Sequence, residues 1–380
     1  MTREIRVLHA PTAVGGNPQG LARAERLLGL KSRSITYFQS RYQYEVDEVL
    51  CKRCNRLTFE LKRIAFYFKV VKQFDIVHYN SGQTLATPLF PPDEERERSV
   101  AKWLQWIYYY YTKILNLIEL NILKIFGKPI FVTFQGDDAR QGDYCRQNFR
   151  ISAATEVENG YYTKRSDTEK RKRIIQFNRF ANKIYALNPD LLHVLPRRAE
   201  FLPYAHIDLN DWRPINSSSG EIKVIHAPSH RGVKGTRYVL NAVERLKQEG
   251  FDFSFELIEG LSNIEARKRY ENADLLVDQL LVGWYGGLAV ELMALGKPVI
   301  CYIRNEDLRY IPDKMRKDLP IINATSDTVY LELKKWIVKP REEILQYGKK
   351  CRMYVETWHN PLKIAKRLQR DYELAVTKEE

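Results

Sequence analysis

The chain has 380 residues, of which 44% are hydrophobic and 28% charged, with 19 Gly and 16 Pro. At roughly 100–200 residues per domain this gives two to three domains, each able to bury its own core, and it excludes a small disulfide scaffold and a low-complexity or collagenous chain. Lys and Arg number 61 against 47 Asp and Glu, a formal charge of +14, so the expected partners are phosphates, acidic polymers or anionic membrane surfaces.

In chain order, an apolar run at 5–9 meets a loop with Gly15 and Gly16 and then a helical pattern through Leu21, Ala24, Leu27 and Leu28. This reads as strand, loop, helix. Further strands are predicted at 35–38, 76–79, 129–134 and 183–187, separated by long amphipathic stretches at 57–71 and 103–125. The alternation predicts parallel βαβ units. It pauses in LPYAHIDLNDWRPINSSSGE, a linker by its Pro, Asn, Asp and Ser content. It restarts with strands at 223–227, 254–259, 275–280, 298–303 and 320–323, and with helices starting near Gly235, Ile264, Gly287, Ser326 and Arg341. The expected fold class is α/β, with two Rossmann-like domains facing across a cleft: a first domain at 1–206, a linker at 207–220 and a second domain at 221–360.

An internal echo supports that division. Val7-Leu8-His9-Ala10-Pro11-Thr12 recurs as Val224-Ile225-His226-Ala227-Pro228-Ser229, and each copy opens a domain as a strand running into a Gly-bearing loop. Two such domains place the carboxyl ends of their strands, where ligands of these sheets bind, along one shared cleft.

Two segments carry chemistry. His230-Arg231-Gly232-Val233-Lys234-Gly235 puts two cations and two glycines between a strand and a helix, the outline of a diphosphate site built on close backbone approach, a helix N-terminus and full positive charges. It is neither a Walker loop nor a G-x-G-x-x-G turn. The second, GWYGGLAVELMALGKPVI from Gly283, starts a helix with Gly286, Gly287 and Leu288 and carries Glu291 just over one turn inside. A carboxylate there suits ribose hydroxyls while the amides above it hold phosphate; the plainer reading is a glutamate that complements the helix dipole.

These parts resemble the donor-binding domain of GT-B glycosyltransferases of the family 4 type: a strand with an Arg/Lys-Gly loop (HAPSHRGVKGT), an Ala273-Asp274 strand, and a Gly-rich helix start with glutamate followed by A-x-G-x-P-V-I (GGLAVELMALGKPVI). PYAHIDLNDWRP is similar to that family's interdomain segment, and FVTFQGDDAR resembles its T-x-H-G-x-D-x-R. The resemblance implies transfer of a sugar from a nucleotide diphosphate sugar donor to a saccharide or lipid-linked saccharide acceptor, with retention, in cell-surface polysaccharide or glycoconjugate synthesis. It implies that Arg231 and Lys234 stabilise the leaving diphosphate and that Glu291 holds the ribose. Gly286, Gly287 and Leu288 then donate amides, and Gly15 and Gly16 close over the diphosphate. Gln135, Asp137 and Arg140 fall on the acceptor side, and the final helix, 361–380, crosses back to the first domain.

Two departures stand out. The family's E-x7-E would place its first glutamate at Gly283, so recognition of the sugar ring falls to other groups: Asp278, Gln279 or the backbone from Tyr285 to Leu288. Gln135 stands where a histidine is common. Asp137-Asp138 invites Mg²⁺, but the resemblance implies that Arg, Lys and helix dipoles neutralise the diphosphate instead, for which Arg231, Lys234 and amide donors are present, so no metal and no cofactor are expected. His9 and His226 end their strands and read as structural hydrogen-bonding residues rather than catalysts.

The five cysteines, Cys51, Cys54, Cys145, Cys301 and Cys351, are odd in number, and no secretory apolar region follows MTREIRVLHAP, so a reducing cytoplasm is expected. Cys51-x-x-Cys54 lacks the further ligands of a metal site and the context of a redox motif. The stretch 101–126 is broken by Lys102, Lys113, Glu119 and Lys124 and fails as a membrane span. Its Trp and Tyr stripe reads as a helix packed on the first sheet, with contact to an anionic membrane on the inner face of the cytoplasmic membrane as the rival. A nucleotide-sugar epimerase or hydrolase on the same scaffold is the first alternative function, and a nucleic-acid-binding protein the second and less favoured. Nucleic acid is not an expected partner, because no recognition module interleaves the aromatics with Arg and Lys.

Overall fold

A computed structural model describes residues 4–40, 42–86, 100–158, 160–215 and 220–379, and in it the chain builds two all-parallel sheets. The first contains β1 (Arg6–Ala10), β2 (Lys31–Thr36), β3 (Glu48–Val49), β4 (Ile76–Asn80), β5 (Ile130–Phe134), β6 (Lys183–Ala186) and β7 (Glu200–Phe201) in the order β3-β2-β1-β4-β5-β6-β7. Its helices are α1 (Asn17–Leu27), α2 (Arg56–Gln73), α3 (Val100–Ile125), α4 (Gly142–Asn148) and α5 (Lys164–Phe180). The second contains β8 (Lys223–His226), β9 (Ser254–Leu257), β10 (Leu275–Val277), β11 (Val299–Cys301) and β12 (Ile321–Asn323) in the order β12-β11-β10-β8-β9. Around it lie α6 (Arg231–Lys234), α7 (Thr236–Gln248), α8 (Asn263–Glu271), α9 (Gly287–Ala294), α10 (Asp313–Asp318), α11 (Val329–Ile337) and α12 (Arg341–Trp358), and the chain ends in α13 (Pro361–Glu379). Residues 216–219 of the expected linker and residue 380 lie outside the described residues.

Parallel sheets covered by helices on both faces need strands that are apolar throughout, and β5, with every residue of IFVTF buried, meets that requirement. β2 meets it differently. Its KSRSIT starts earlier than the apolar run at 35–38 suggests, because Ser32 donates to Glu25 (2.6 Å) and Ser34 to Asp47 (3.0 Å), which lets small polar residues be buried. In each sheet the strand order reverses once, between β1 and β4 and between β8 and β10. Ligands of open α/β sheets bind outside the carboxyl ends at such switch points.

α13 packs on the first sheet. The Tyr372 hydroxyl reaches His78 Nδ1 (2.7 Å) and Glu25 (3.1 Å), its ring stands edge-on to Phe131, and the Tyr185 hydroxyl donates to Asp371 (2.6 Å). Leu368 and Tyr372 are fully buried there, and each such side chain contributes roughly 1.5–3 kcal/mol. Cys51 and Cys54, for which a reducing cytoplasm and neither a metal nor a redox role were expected, are joined in a disulfide just before α2; their i, i+3 spacing brings the two Cα atoms to 5.6 Å, within bonding reach.

Candidate functional site

The switch point of the second sheet shapes the site. β8 runs into Ala227-Pro228-Ser229-His230, and the one-turn α6 follows, capped by His230 Nδ1 on the Val233 amide (3.3 Å) and ended by Gly235 at φ +75°. A cavity of about 280 Å³ opens in front of this loop, lined by Ser229 and Lys234 from it, by Gly287, Leu288 and Glu291 from α9, and by Val14, Gly15, Tyr42 and Tyr44 from the first domain. The domains touch around it, with the Asn263 amide donating to the Tyr42 carbonyl (3.1 Å).

Lys234 carries the inner positive charge. Its Nζ donates to Gln279 Oε1 (2.5 Å) and lies 3.6 Å from Asp278. Asp278 is buried behind the cavity rather than lining it, and its carboxylate accepts the Gly286 amide (2.9 Å). Asp278 and Gly286, expected to contact the donor, therefore do not face the cavity: the Asp278 side chain and the Gly286 N–H serve each other. Gln279 likewise donates to the Trp284 carbonyl. The amides of Gly287 and Leu288 remain, in a first turn that leaves N–H groups without intrahelical acceptors and with no side-chain cap. Glu291, almost fully buried, lies 3.5 Å from Asn263 Nδ2 and from His206 Nε2.

His206 is the member of the site that the sequence reading missed. It lies in the segment joining the domains, lines the cavity, and has both ring nitrogens buried without a hydrogen-bond partner. α1 fixes it: Asn17 Oδ1 accepts the Ala205 amide (2.8 Å), Arg23 donates to the His206 carbonyl (3.1 Å), and any side chain at Gly20 would overlap the Ala205 carbonyl oxygen. The signal available in the sequence was only a histidine within PYAHID.

Other expected residues stand apart from the cavity. Arg231 is 60% exposed at the rim and held by Glu259 (Nε to Oε1, 2.9 Å), because the short α6 turns its side chain outward. Gly16 lines an adjoining hollow beside Tyr44 and His206, not the cavity itself. Arg140 is buried against Asp190 (2.7 Å) and Asp137 (2.6 Å), and Asp137 also accepts from Tyr161 and Tyr162. Burial alone would raise the Asp137 carboxyl, but Arg140 and the two hydroxyls hold it at about 2. The Gln135 amide donates to Asp138 (3.0 Å) and its carbonyl accepts from Asn188 (2.5 Å). These charges answer one another at the end of β5 and brace the loop. His9 bonds Glu25 (2.8 Å), and His226 bonds the Val277 carbonyl (2.7 Å) and Thr236 (2.9 Å), with burial lowering His226 to about 4. Both histidines are buried structural groups. No cluster of metal-binding side chains occurs among the described residues.

Solved structures similar over nearly the whole chain include sucrose-phosphate synthase from Thermosynechococcus elongatus (12% identity, 99% of this chain and 100% of that one, TM-score 0.59). HepE from Anabaena in complex with UDP-glucose matches at 9% identity, over 97% and 99% of the two chains, with TM-score 0.59. The catalytic domain of starch synthase IV from Arabidopsis thaliana bound to ADP and acarbose matches at 11%, over 99% and 100%, with TM-score 0.56. No protein-family profile and no curated protein sequence matches. The fold is GT-B.

Within that GT-B frame, the structure accounts for Gly283. Its φ is +93°, and a Cβ there would come within 2.7 Å of Arg304 Nη1. Arg304 is itself committed: it pairs with Asp307 (2.8 Å), donates to the Ile151 carbonyl (3.1 Å) and stacks 3.6 Å above the Phe149 ring. Asp307 in turn accepts from His193 (2.8 Å). The position where a first glutamate would stand is therefore part of a buried interdomain latch, and any side chain there would have to displace Arg304.

A second cavity, of about 480 Å³, adjoins the first through Val14, Gly15, Tyr42 and Tyr44. Tyr37, Phe38, Phe59 and Tyr108 wall it, with Arg63 and Gln83 as its longer polar side chains. None of Gln135, Asp137 or Arg140 lines it.

Proposed function

We propose that the chain transfers a glycosyl group from a nucleoside diphosphate sugar to a saccharide or lipid-linked saccharide. The observation that carries this reading is the convergence of Lys234, the uncapped N-terminus of α9 and Glu291 on one cavity at the switch point of the second sheet. That set matches a diphosphate with a ribose beside it: a full positive charge and free amides for the phosphates, a carboxylate for the hydroxyls. HepE in complex with UDP-glucose and starch synthase IV bound to ADP and acarbose share the fold, which agrees with a donor of this class.

In the proposed reaction the bond from the anomeric carbon to the diphosphate oxygen breaks and its electron pair leaves with the diphosphate. The acceptor hydroxyl oxygen forms the new bond to that carbon, and its proton passes to the leaving phosphate. Lys234 and the α9 amides stabilise the charge that develops on the leaving group. Glu291 and His206 hold the nucleoside end, and the acceptor enters from the aromatic cavity beside Gly15. Retention of configuration and a role in cell-surface polysaccharide synthesis belong to the same reading.

The test is a thermal-shift panel of nucleoside diphosphate sugars, followed by product analysis with the donor that stabilises most. A labelled sugar carried onto an added saccharide or lipid-linked saccharide supports the proposal. Release of free sugar or an epimerised donor, with no dependence on acceptor, overturns it.

A further inference from the structure

α3 has two apolar faces and the fold covers one. Tyr109, Leu120 and Leu123 are buried against the first domain, whereas Trp103, Ile107, Tyr110, Ile114, Leu117 and Ile118, at the three- and four-residue spacing of a single helix face, are 45–64% exposed. A helix apolar all round is ordinarily enclosed. α2 lies alongside it, joined by hydrogen bonds from Tyr108 (2.5 Å) and Tyr111 (3.0 Å) to Glu60, and exposes Leu57, Leu61, Ile64 and Phe68 at the same kind of spacing. α5 lies on the other side of α3, tied by Lys113 to Glu169 (3.0 Å), and exposes Ile175.

The charges on these three helices are sorted. Their acidic residues are Glu60, Glu119, Asp167 and Glu169, and all four are turned inward, with Glu60 the most exposed at 15% and the others at 7% or less. Their outward charges are basic: Arg56, Lys62 and Lys72 on α2, Lys124 on α3, Lys172 and Arg179 on α5. An apolar ridge flanked by cations, with the anions withdrawn, fits a surface that is hydrocarbon beneath and negative on top. No helix among the described residues is long and apolar enough to cross a membrane, so the contact is lateral. The aromatic cavity opens beside this face, since Phe59 and Arg63 of α2 and Tyr108 of α3 form one wall of it.

We propose that α2, α3 and α5 form a docking face for an anionic lipid bilayer, and that the aromatic cavity receives the head of an acceptor anchored in that bilayer. The second clause rests on the glycosyl-transfer reading; the first does not. A bilayer at this face places an anchored acceptor within reach of the cavity, and through Gly15 and Tyr44 within reach of the donor.

The experiment is co-sedimentation of the full chain with phosphatidylcholine vesicles, with and without phosphatidylglycerol, comparing wild type with the double substitution Ile107→Glu, Ile114→Glu. Both positions are exposed, so melting temperature and nucleoside diphosphate binding in the absence of lipid stay at wild-type values; the second measurement tests the donor site independently. The wild type is expected to sediment only with the anionic vesicles, to be released by high salt, and to lose at least ~tenfold in lipid affinity in the double variant. A wild type that stays in solution at every lipid concentration overturns the proposal. A wild-type dimer that the double variant dissociates, with no vesicle binding, also overturns it and assigns the face to a second copy of the chain.

Discussion

Gly283 offers a quantitative test of how the second domain is built. Alanine at φ +93° costs about 1–2 kcal/mol from the left-handed backbone alone. Its Cβ would also press on Arg304, with Nη1 at 2.7 Å and Cζ at 2.8 Å, and overpacking of this kind costs about 1–3 kcal/mol. Gly283→Ala should therefore destabilise by about 2–5 kcal/mol. Arg304→Ala deprives the fully buried Asp307 of a partner, worth about 3–5 kcal/mol, with His193 retaining part of it. The double variant loses the contacts to Nη1 and Cζ and keeps only that to the Arg304 Cβ at 3.0 Å, so it should fall short of the sum by about 1–2 kcal/mol. Urea unfolding followed by fluorescence reads this as shifts in midpoint at unchanged slope. A wild-type midpoint for Gly283→Ala, or strict additivity in the cycle, would refute the claim that Arg304 excludes a side chain there.

Four further outcomes follow from the same geometry. Lys234→Met should weaken nucleoside diphosphate binding about 10–100-fold by calorimetry, whereas Arg231→Met, at the exposed rim, should change it less than about threefold. Glu291→Gln should erase most of the preference for a ribonucleoside over a 2′-deoxyribonucleoside diphosphate, a loss of about tenfold in the affinity ratio. His206→Ala should raise the donor KM about tenfold at little change in kcat, with partial rescue in His206→Gln; a lowered melting temperature with unchanged KM would make the histidine merely structural. Glu119 is raised by burial to about 7, despite hydrogen bonds from Tyr79 and the Leu85 and Ala86 amides. The folded state thus binds that proton more tightly than the unfolded state, and stability is lost as pH rises from about 4.5 to 7, by about 3 kcal/mol. Glu119→Gln should flatten this part of the stability profile.

Hydrophobic alternation was enough to find both sheets, because covered parallel strands such as β5 and β10 are nearly continuous apolar runs. β3 and β7, two residues each, gave no such run, and the start of β2 was hidden by serines whose burial depends on Glu25 and Asp47, distant groups no local pattern reveals. The site divides in the same way. Lys234, Gly287, Leu288 and Glu291 belong to local loop-to-helix motifs and line one cavity. Arg231 and Asp278 share those motifs, yet their side chains are claimed by Glu259 and by the Gly286 amide, competitors fixed only in three dimensions. His206 reaches the cavity because α1 and the domain junction pack together, and the exposed ridge of α3 was indistinguishable in sequence from a buried one.

A crystal structure with a nucleoside diphosphate decides whether Lys234, the α9 N-terminus and Glu291 form the donor site. Phosphate oxygens are expected within hydrogen-bond distance of Lys234 Nζ and the Gly287 and Leu288 amides, with ribose hydroxyls on Glu291. A nucleotide held elsewhere, or none at saturating concentration, would refute the assignment.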